Sequence, residues 1–338
     1  MSVIATDGLG KRYGRSITAL EGLTIDVEPG EIFGFLGPNG AGKSTTIRLL
    51  LGFLHPTAGR ATVFGLDTER SSVEIRARVG YLPGGIALYD SLTGHDLLAY
   101  LADLYDRPAP DRAELVDRFE FSDRDLRRPV RDYSRGMRQK IGIVQALQHD
   151  PELAILDEPT EGLDPLMQRA FYGILDDRRA RGRTIFLSSH VLSEVERVCD
   201  RVAIIRKGRL AALQDVAALL ARRKRNVEMR LDGPPPSLDG VPGVSGVMVR
   251  DGLLTCHLEG DVGPFLRAIA GAPVVDLTIE PAHLEEAFLE FYAEELGLAP
   301  DRPSEGGTHI RGEGATGRRG LEDDRADEAA ATSAGPRR

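Results

Sequence analysis

A chain of 338 residues with 41% hydrophobic and 28% charged side chains is long enough for one large domain and a smaller one, each able to bury a core without disulfide or metal staples. Its formal net charge of -9 sets a repulsive background toward nucleic acid and anionic lipid, so nucleic acid is not an expected partner. The two cysteines, Cys199 and Cys256, stand outside any metal-ligand spacing and fit a reduced cytosolic compartment, and the pattern holds neither a secretory signal nor an apolar run of bilayer length, so a membrane role is expected only through a partner.

In chain order, Ile17 to Val27 mixes alternating apolar residues with turn formers, and Gly30 to Leu36 reads as a buried strand feeding a glycine-rich loop. Thr45 to Leu51 then reads as a helix, stopped near Gly52 and by Pro56. Further on come a helical stretch from Met137 to His149, an apolar strand Leu153 to Leu156, a helix from Leu166 to Arg181, and strands at Thr184 to Leu187 and Arg201 to Ile205. Apolar strands alternating with helices predict a parallel sheet covered on both faces. The basic cluster Arg222 to Arg225 and the Pro234 to Pro236 loop mark a boundary: residues 1–222 form the large unit and 223–296 a small α+β domain, with strands at Val227 to Leu231 and Leu253 to Leu258 and helices at Pro264 to Ala270 and Leu284 to Glu295. From 297 to 338 the composition is too poor in apolar residues to order itself, which predicts a disordered tail.

Gly37-Pro38-Asn39-Gly40-Ala41-Gly42-Lys43-Ser44 fits the phosphate-binding pattern GxxxxGK[ST]. Its glycines let backbone N–H groups close around a phosphate chain, and the helix beginning at Ser44 aims its positive dipole end at the same anion. Lys43 would reach the β- and γ-phosphates and the Ser44 hydroxyl would ligate Mg²⁺, while Asp157 and Glu158 close the apolar strand. Two adjacent carboxylates repel unless one is held against a cation, which puts Asp157 on Mg²⁺ and Glu158 beside an attacking water as general base.

Tyr133-Ser134-Arg135-Gly136-Met137, followed by the carboxylate strand, resembles the signature motif of ATP-binding cassette (ABC) ATPases in its YSxGM form. Glu161 to Pro165 is similar to the D-loop of that family, with Asp164 in it, His190 to its switch histidine, and Tyr13 to the aromatic that stacks on adenine. Taken singly, each has an ordinary structural explanation, Ser134 as a helix cap among them. The resemblance covers about the first two-thirds of the chain. It implies an α/β P-loop NTPase cassette with a mostly parallel sheet core, an antiparallel N-terminal part and a helical subdomain at about 85–150. It also implies ATP bound by Tyr13, Gly37 to Ser44 and Thr45, Mg²⁺ on Ser44 and Asp157, and Glu158 and His190 as the hydrolytic residues. The partner would be a second cassette, most simply an identical copy, whose Ser134, Arg135 and Gly136 close over the nucleotide.

One position departs from the family. Gly84 stands where a glutamine normally touches Mg²⁺ and faces the permease, which puts coupling in doubt while leaving hydrolysis intact. The YSRGM signature and Pro281 to Phe288, similar to the closing segment of drug- and polysaccharide-export ATPases, imply an exporter subunit acting on a separate membrane permease from its cytoplasmic face. The competing readings are a soluble ABC ATPase acting on DNA or ribosomes, for which the chain has neither the long coiled coil nor the second cassette, and a nucleotide-gated regulator with little turnover.

Overall fold

The computed structural model describes residues 2–14, 16–105, 108–221 and 225–280. The helix expected from Leu284 to Glu295, the closing segment Pro281 to Phe288 and the tail from Gly297 lie outside the described residues.

A six-stranded sheet forms the centre. In spatial order it runs Arg209–Asp215, Arg201–Arg206, Ile32–Leu36, Thr184–Ser189, Leu153–Asp157 and Val79–Leu82. All neighbours pair in parallel except the first two, which form a hairpin through Lys207-Gly208. The strands read as unbroken apolar runs because both faces are covered, and their side chains divide by the two-residue repeat. Ile32 and Leu36 pack into one core with Ala154, Leu156 and Leu187, while Phe33 and Phe35 pack into another with Ile155, Phe186 and Ile205.

Each face has its own cover. The second core is closed by helix Lys43–Leu50 and an antiparallel sheet in the order Ile17–Leu23, Ile4–Tyr13, Ala58–Val63 and Leu66–Asp67, with Asp26–Val27 beside Ile4–Tyr13. The long strand Ile4–Tyr13 goes beyond the sequence reading, because Asp7, Gly8 and Gly10 interrupt its apolar positions. The first core extends into a helical region where Gly94–Asp103, Arg112–Arg118 and Asp123–Leu126 pack through Leu97, Leu98, Leu115 and Leu126 against helix Arg135–Leu147. An ion network ties that region to the sheet: buried Arg178 of helix Pro165–Ala180 meets Asp111 at 2.7 Å and Asp150 at 3.0 Å. Breaking such a buried pair by removing one partner costs about 3–5 kcal/mol, since the other charge is left uncompensated.

Residues 225–280 form a third sheet, antiparallel, in the order Val244–Arg250, Leu253–Leu258, Arg225–Leu231 and Val274–Glu280. Helix Gly263–Ile269 packs Phe265 and Ile269 on Val227, Met229, Leu254 and Cys256. Val244–Arg250 and Val274–Glu280 escape the sequence pattern because both are edge strands with most of their residues exposed. Both cysteines are buried in their separate cores, and burial pushes the thiol pKa of each upward. Among the described residues no helix is long and apolar enough to cross a membrane.

Candidate functional site

The sheet order decides what meets what. The phosphate-loop strand Ile32–Leu36 and the carboxylate strand Leu153–Asp157 are not neighbours; Thr184–Ser189 lies between them, in register so that Leu36 stands beside Ser189 and Asp157 beside Ser188. All three strands end at the same edge, where ligands of open α/β sheets bind.

The loop from Gly37 to Gly42 then turns into helix Lys43–Leu50. Gly42 caps that helix at φ 110°, and a Cβ there would lie 2.6 Å from Ala19 O. At Gly37 a Cβ would lie 2.3 Å from Ile205 O, so both positions require glycine for close backbone approach. Since Gly42 offers no side-chain cap, the N–H groups of the first turn are left for another acceptor. Here is a cavity of about 300 Å³, lined by Asn39, Gly40, Gly42, Lys43, Ser44, Thr45, Gly84, Asp157 and Glu158, together with Ala19. Gly37, Pro38 and Ala41 shape the loop from behind: Ala41 N–H donates to Pro38 O at 3.1 Å, and Lys43 Nζ donates to Gly37 O at 2.7 Å.

The two adjacent carboxylates separate. Asp157 is buried, accepting from Ser44 Oγ at 2.8 Å on one oxygen and from Ser188 Oγ on the other. Glu158 breaks the strand geometry at φ 51°, a left-handed conformation that costs a non-glycine residue roughly 1–3 kcal/mol and has to be held by its surroundings. Its Oε1 lies 3.1 Å from Lys43 Nζ as an ion pair outside hydrogen-bond geometry, and its Oε2 lies 2.7 Å from His190 Nδ1. A carboxylate oxygen only accepts, so Nδ1 carries the proton in that contact. Gln139, buried in helix Arg135–Leu147, holds the turn by donating to Glu158 O at 3.3 Å and Pro159 O at 2.7 Å.

Oxygen donors dominate. Among the described residues no cluster of three or more His, Cys, Asp or Glu could hold a metal. Ser44 Oγ and Asp157 Oδ2 are hard oxygen ligands of the kind Mg²⁺ takes, and Asp157 meets only hydroxyls, so the pair fits a cation that completes its shell with phosphate oxygens and water. At Gly84 a Cβ would lie 3.1 Å from Asp157 Oδ2, so this position faces the carboxylate directly.

The remaining sequence-predicted residues lie elsewhere. Ser134 is the N-cap of helix Arg135–Leu147, accepting from Met137 N–H at 3.2 Å; it is exposed, as is Arg135, which pairs with Glu161. Neither they nor Gly136 line the cavity; a Cβ on Gly136 would approach Gly162 O at 3.0 Å. Asp164 caps helix Pro165–Ala180 by accepting from Leu166 and Met167 N–H, both at 3.0 Å. Tyr13 ends strand Ile4–Tyr13 as an exposed residue outside the cavity lining, with Lys11 Nζ 5.6 Å from its ring centroid. Ser188 and Gln139 carry no sequence signal of their own: a serine in a strand and a glutamine in a helix become site residues only when the strands come into register.

The ABC transporter family matches residues 20–161 of the chain. Over 301 residues the chain is 36% identical to an uncharacterized ABC transporter ATP-binding protein of Nostoc sp. (strain PCC 7120), spanning 85% of this chain and 89% of that one. Over 238 residues it is 40% identical to a fluoroquinolones export ATP-binding protein of Mycobacterium tuberculosis, spanning 68% and 78%. A solved ATP-binding subunit of an ABC transporter superposes with a TM-score of 0.60 at 32% identity, covering 64% of this chain and 92% of that chain.

Proposed function

The chain belongs to the ABC transporter family as an ATP-binding protein, and from that premise we propose that it is the ATP-hydrolysing subunit of an exporter, driving a separate membrane permease from the cytoplasmic face. The observation that carries the reading is the cavity itself, which brings the glycine cradle, Lys43, Ser44, Asp157 and Glu158 together. The export direction rests on the likeness to the fluoroquinolones export protein.

In this reading the loop N–H groups and Lys43 bind the triphosphate, Lys43 as its fixed cation. Ser44 and Asp157 hold Mg²⁺, which when bound neutralises charge on the phosphate oxygens. Ser188 fixes the second oxygen of Asp157, so the first stays aimed at Ser44. Glu158 orients a water and takes its proton, while His190 steadies Glu158 through Nδ1. The turn from Ser134 to Gly136, exposed at Ser134 and Arg135, closes over the nucleotide of a second copy, so each site is built from two chains and ATP binds them together.

Mixing two inactive variants tests this arrangement. Lys43→Ala destroys the phosphate loop, and Ser134→Asp keeps a good N-cap while setting a negative charge against phosphate. In a head-to-tail pair of one copy of each, one site has both parts intact, so ATPase activity returns on mixing. A mixture no more active than its components would refute the two-chain site.

A further inference from the structure

Behind the Glu158–His190 pair lies a buried carboxylate with no part in the scheme above. Glu194, on helix Leu192–Val198, is 6% exposed. Its Oε2 accepts from Ser189 Oγ at 2.6 Å and its Oε1 from Thr160 Oγ1; both hydroxyl residues are themselves buried. Among the described residues it forms no ion pair; Arg197 on the same helix lies instead over the Tyr172 ring, 5.5 Å from its centroid. A carboxylate taken out of water is costly unless it is fully hydrogen-bonded, and an apolar side chain would fill the same space at lower cost. What the carboxylate adds is a fixed link between two hydroxyls.

Those hydroxyls sit at informative places. Thr160 is two residues beyond Glu158, at the far end of the strained turn, and Ser189 immediately precedes His190. The near end of the first turn is held by Glu158 N–H donating to Ser188 O at 3.1 Å, and its middle by Gln139. Thr160 supplies the far anchor, to Glu194. In the second turn Ser189 Oγ accepts from Val191 N–H at 2.9 Å while donating to Glu194, which brackets His190. Successive residues of a strand point to opposite faces, and so Ser188 reaches Asp157 while Ser189 reaches Glu194.

We propose that Glu194 is a positioning residue for hydrolysis. It clamps the turn carrying Glu158 to the turn carrying His190, and thereby sets the contact between their side chains. The proposal rests on the roles given above to Glu158 and His190, and Glu194 itself touches no reacting atom.

The test uses the full chain. Glu194→Ala is expected to keep its affinity for a fluorescent ATP analogue, and its KM, within about twofold, because the phosphate loop is untouched, while kcat falls about tenfold or more from misplacement of the pair. Glu194→Gln, whose amide can accept from one hydroxyl and donate to the other, is expected to recover most of that loss. In a His190→Ala background the same Glu194→Ala change is expected to cost less than about twofold, since the contact it sets is already gone. Should Glu194→Ala fold poorly, Thr160→Val removes one anchor without changing side-chain shape and is expected to lower kcat alone.

Wild-type kcat in the folded Glu194→Ala protein, with Glu158→Gln inactive, would overturn the positioning role only. An undiminished loss in the His190→Ala background would do the same, as would affinity, KM and kcat all worsening together with the melting temperature. Full turnover in Glu158→Gln would instead overturn the hydrolytic reading beneath it.

Discussion

The phosphate-loop cavity and the signature turn are both built at helix N-termini, yet they are finished in opposite ways. Helix Lys43–Leu50 is capped by Gly42, which has no side chain, so its first-turn N–H groups stay free for an anion, and the Lys43 and Ser44 side chains on that turn meet Glu158 and Asp157 of the same chain. Helix Arg135–Leu147 is capped by its own Ser134, which satisfies Met137 N–H, and its leading residues are exposed. The first end is a site assembled within one chain. The second has its Met137 N–H capped locally and its leading residues turned outward, the form expected of a surface that adds to a site elsewhere.

The largest effect that would break the comparison belongs to Lys43. Lys43→Ala is expected to abolish tight ATP binding or turnover, because the cavity loses its cation against the terminal phosphates; wild-type turnover would remove the phosphate-loop assignment. Glu158→Gln comes next. The amide can hold a water but cannot take its proton, so hydrolysis falls on the order of 10²–10⁴-fold while ATP binding persists. That variant is expected to elute as an ATP-dependent dimer on size exclusion, and a monomer in the presence of ATP would count against the two-chain site.

Ser134→Asp sharpens the contrast between cap and ligand contact. Both residues are good N-caps, so the melting temperature should move by no more than about 2–4 °C, the span of about 1 kcal/mol in a domain of this size. ATPase activity should nevertheless fall steeply, with ATP affinity of the monomer unchanged. Equal activity and equal stability would leave Ser134 as a cap alone.

The smallest effect is expected at Gly84. Gly84→Gln should change the basal ATPase rate of the isolated subunit by less than about threefold, under 1 kcal/mol of barrier, because in the proposed reading Ser44, Asp157 and phosphate would supply the ligands Mg²⁺ takes from protein and substrate and water would fill the rest, while stimulation by the permease should change. The geometry says what a larger result would mean. A Cβ at this position starts 3.1 Å from Asp157 Oδ2, so a tenfold change or more would place the new side chain among the metal's ligands.

What the sequence determined is whatever depends on a few consecutive residues. The phosphate loop was legible because one contiguous segment supplies the glycines, the lysine and the hydroxyl, and the strand–loop–helix order could be read from apolar runs and punctuation. The carboxylate strand and the helices after Ser134 and Asp164 followed for the same local reason. Tertiary structure alone decided which side chains face one another. Ser44 meets Asp157 across 113 residues, Ser188 meets Asp157 across 31, and Thr160 meets Glu194 across 34. Those pairings exist because strand Thr184–Ser189 threads between the phosphate-loop and carboxylate strands in a particular register, and a one-residue slip would turn Ser188 and Ser189 to the opposite faces. The motif names the groups that can do chemistry, and the register of non-local strands fixes their distances, which no local pattern in the chain encodes.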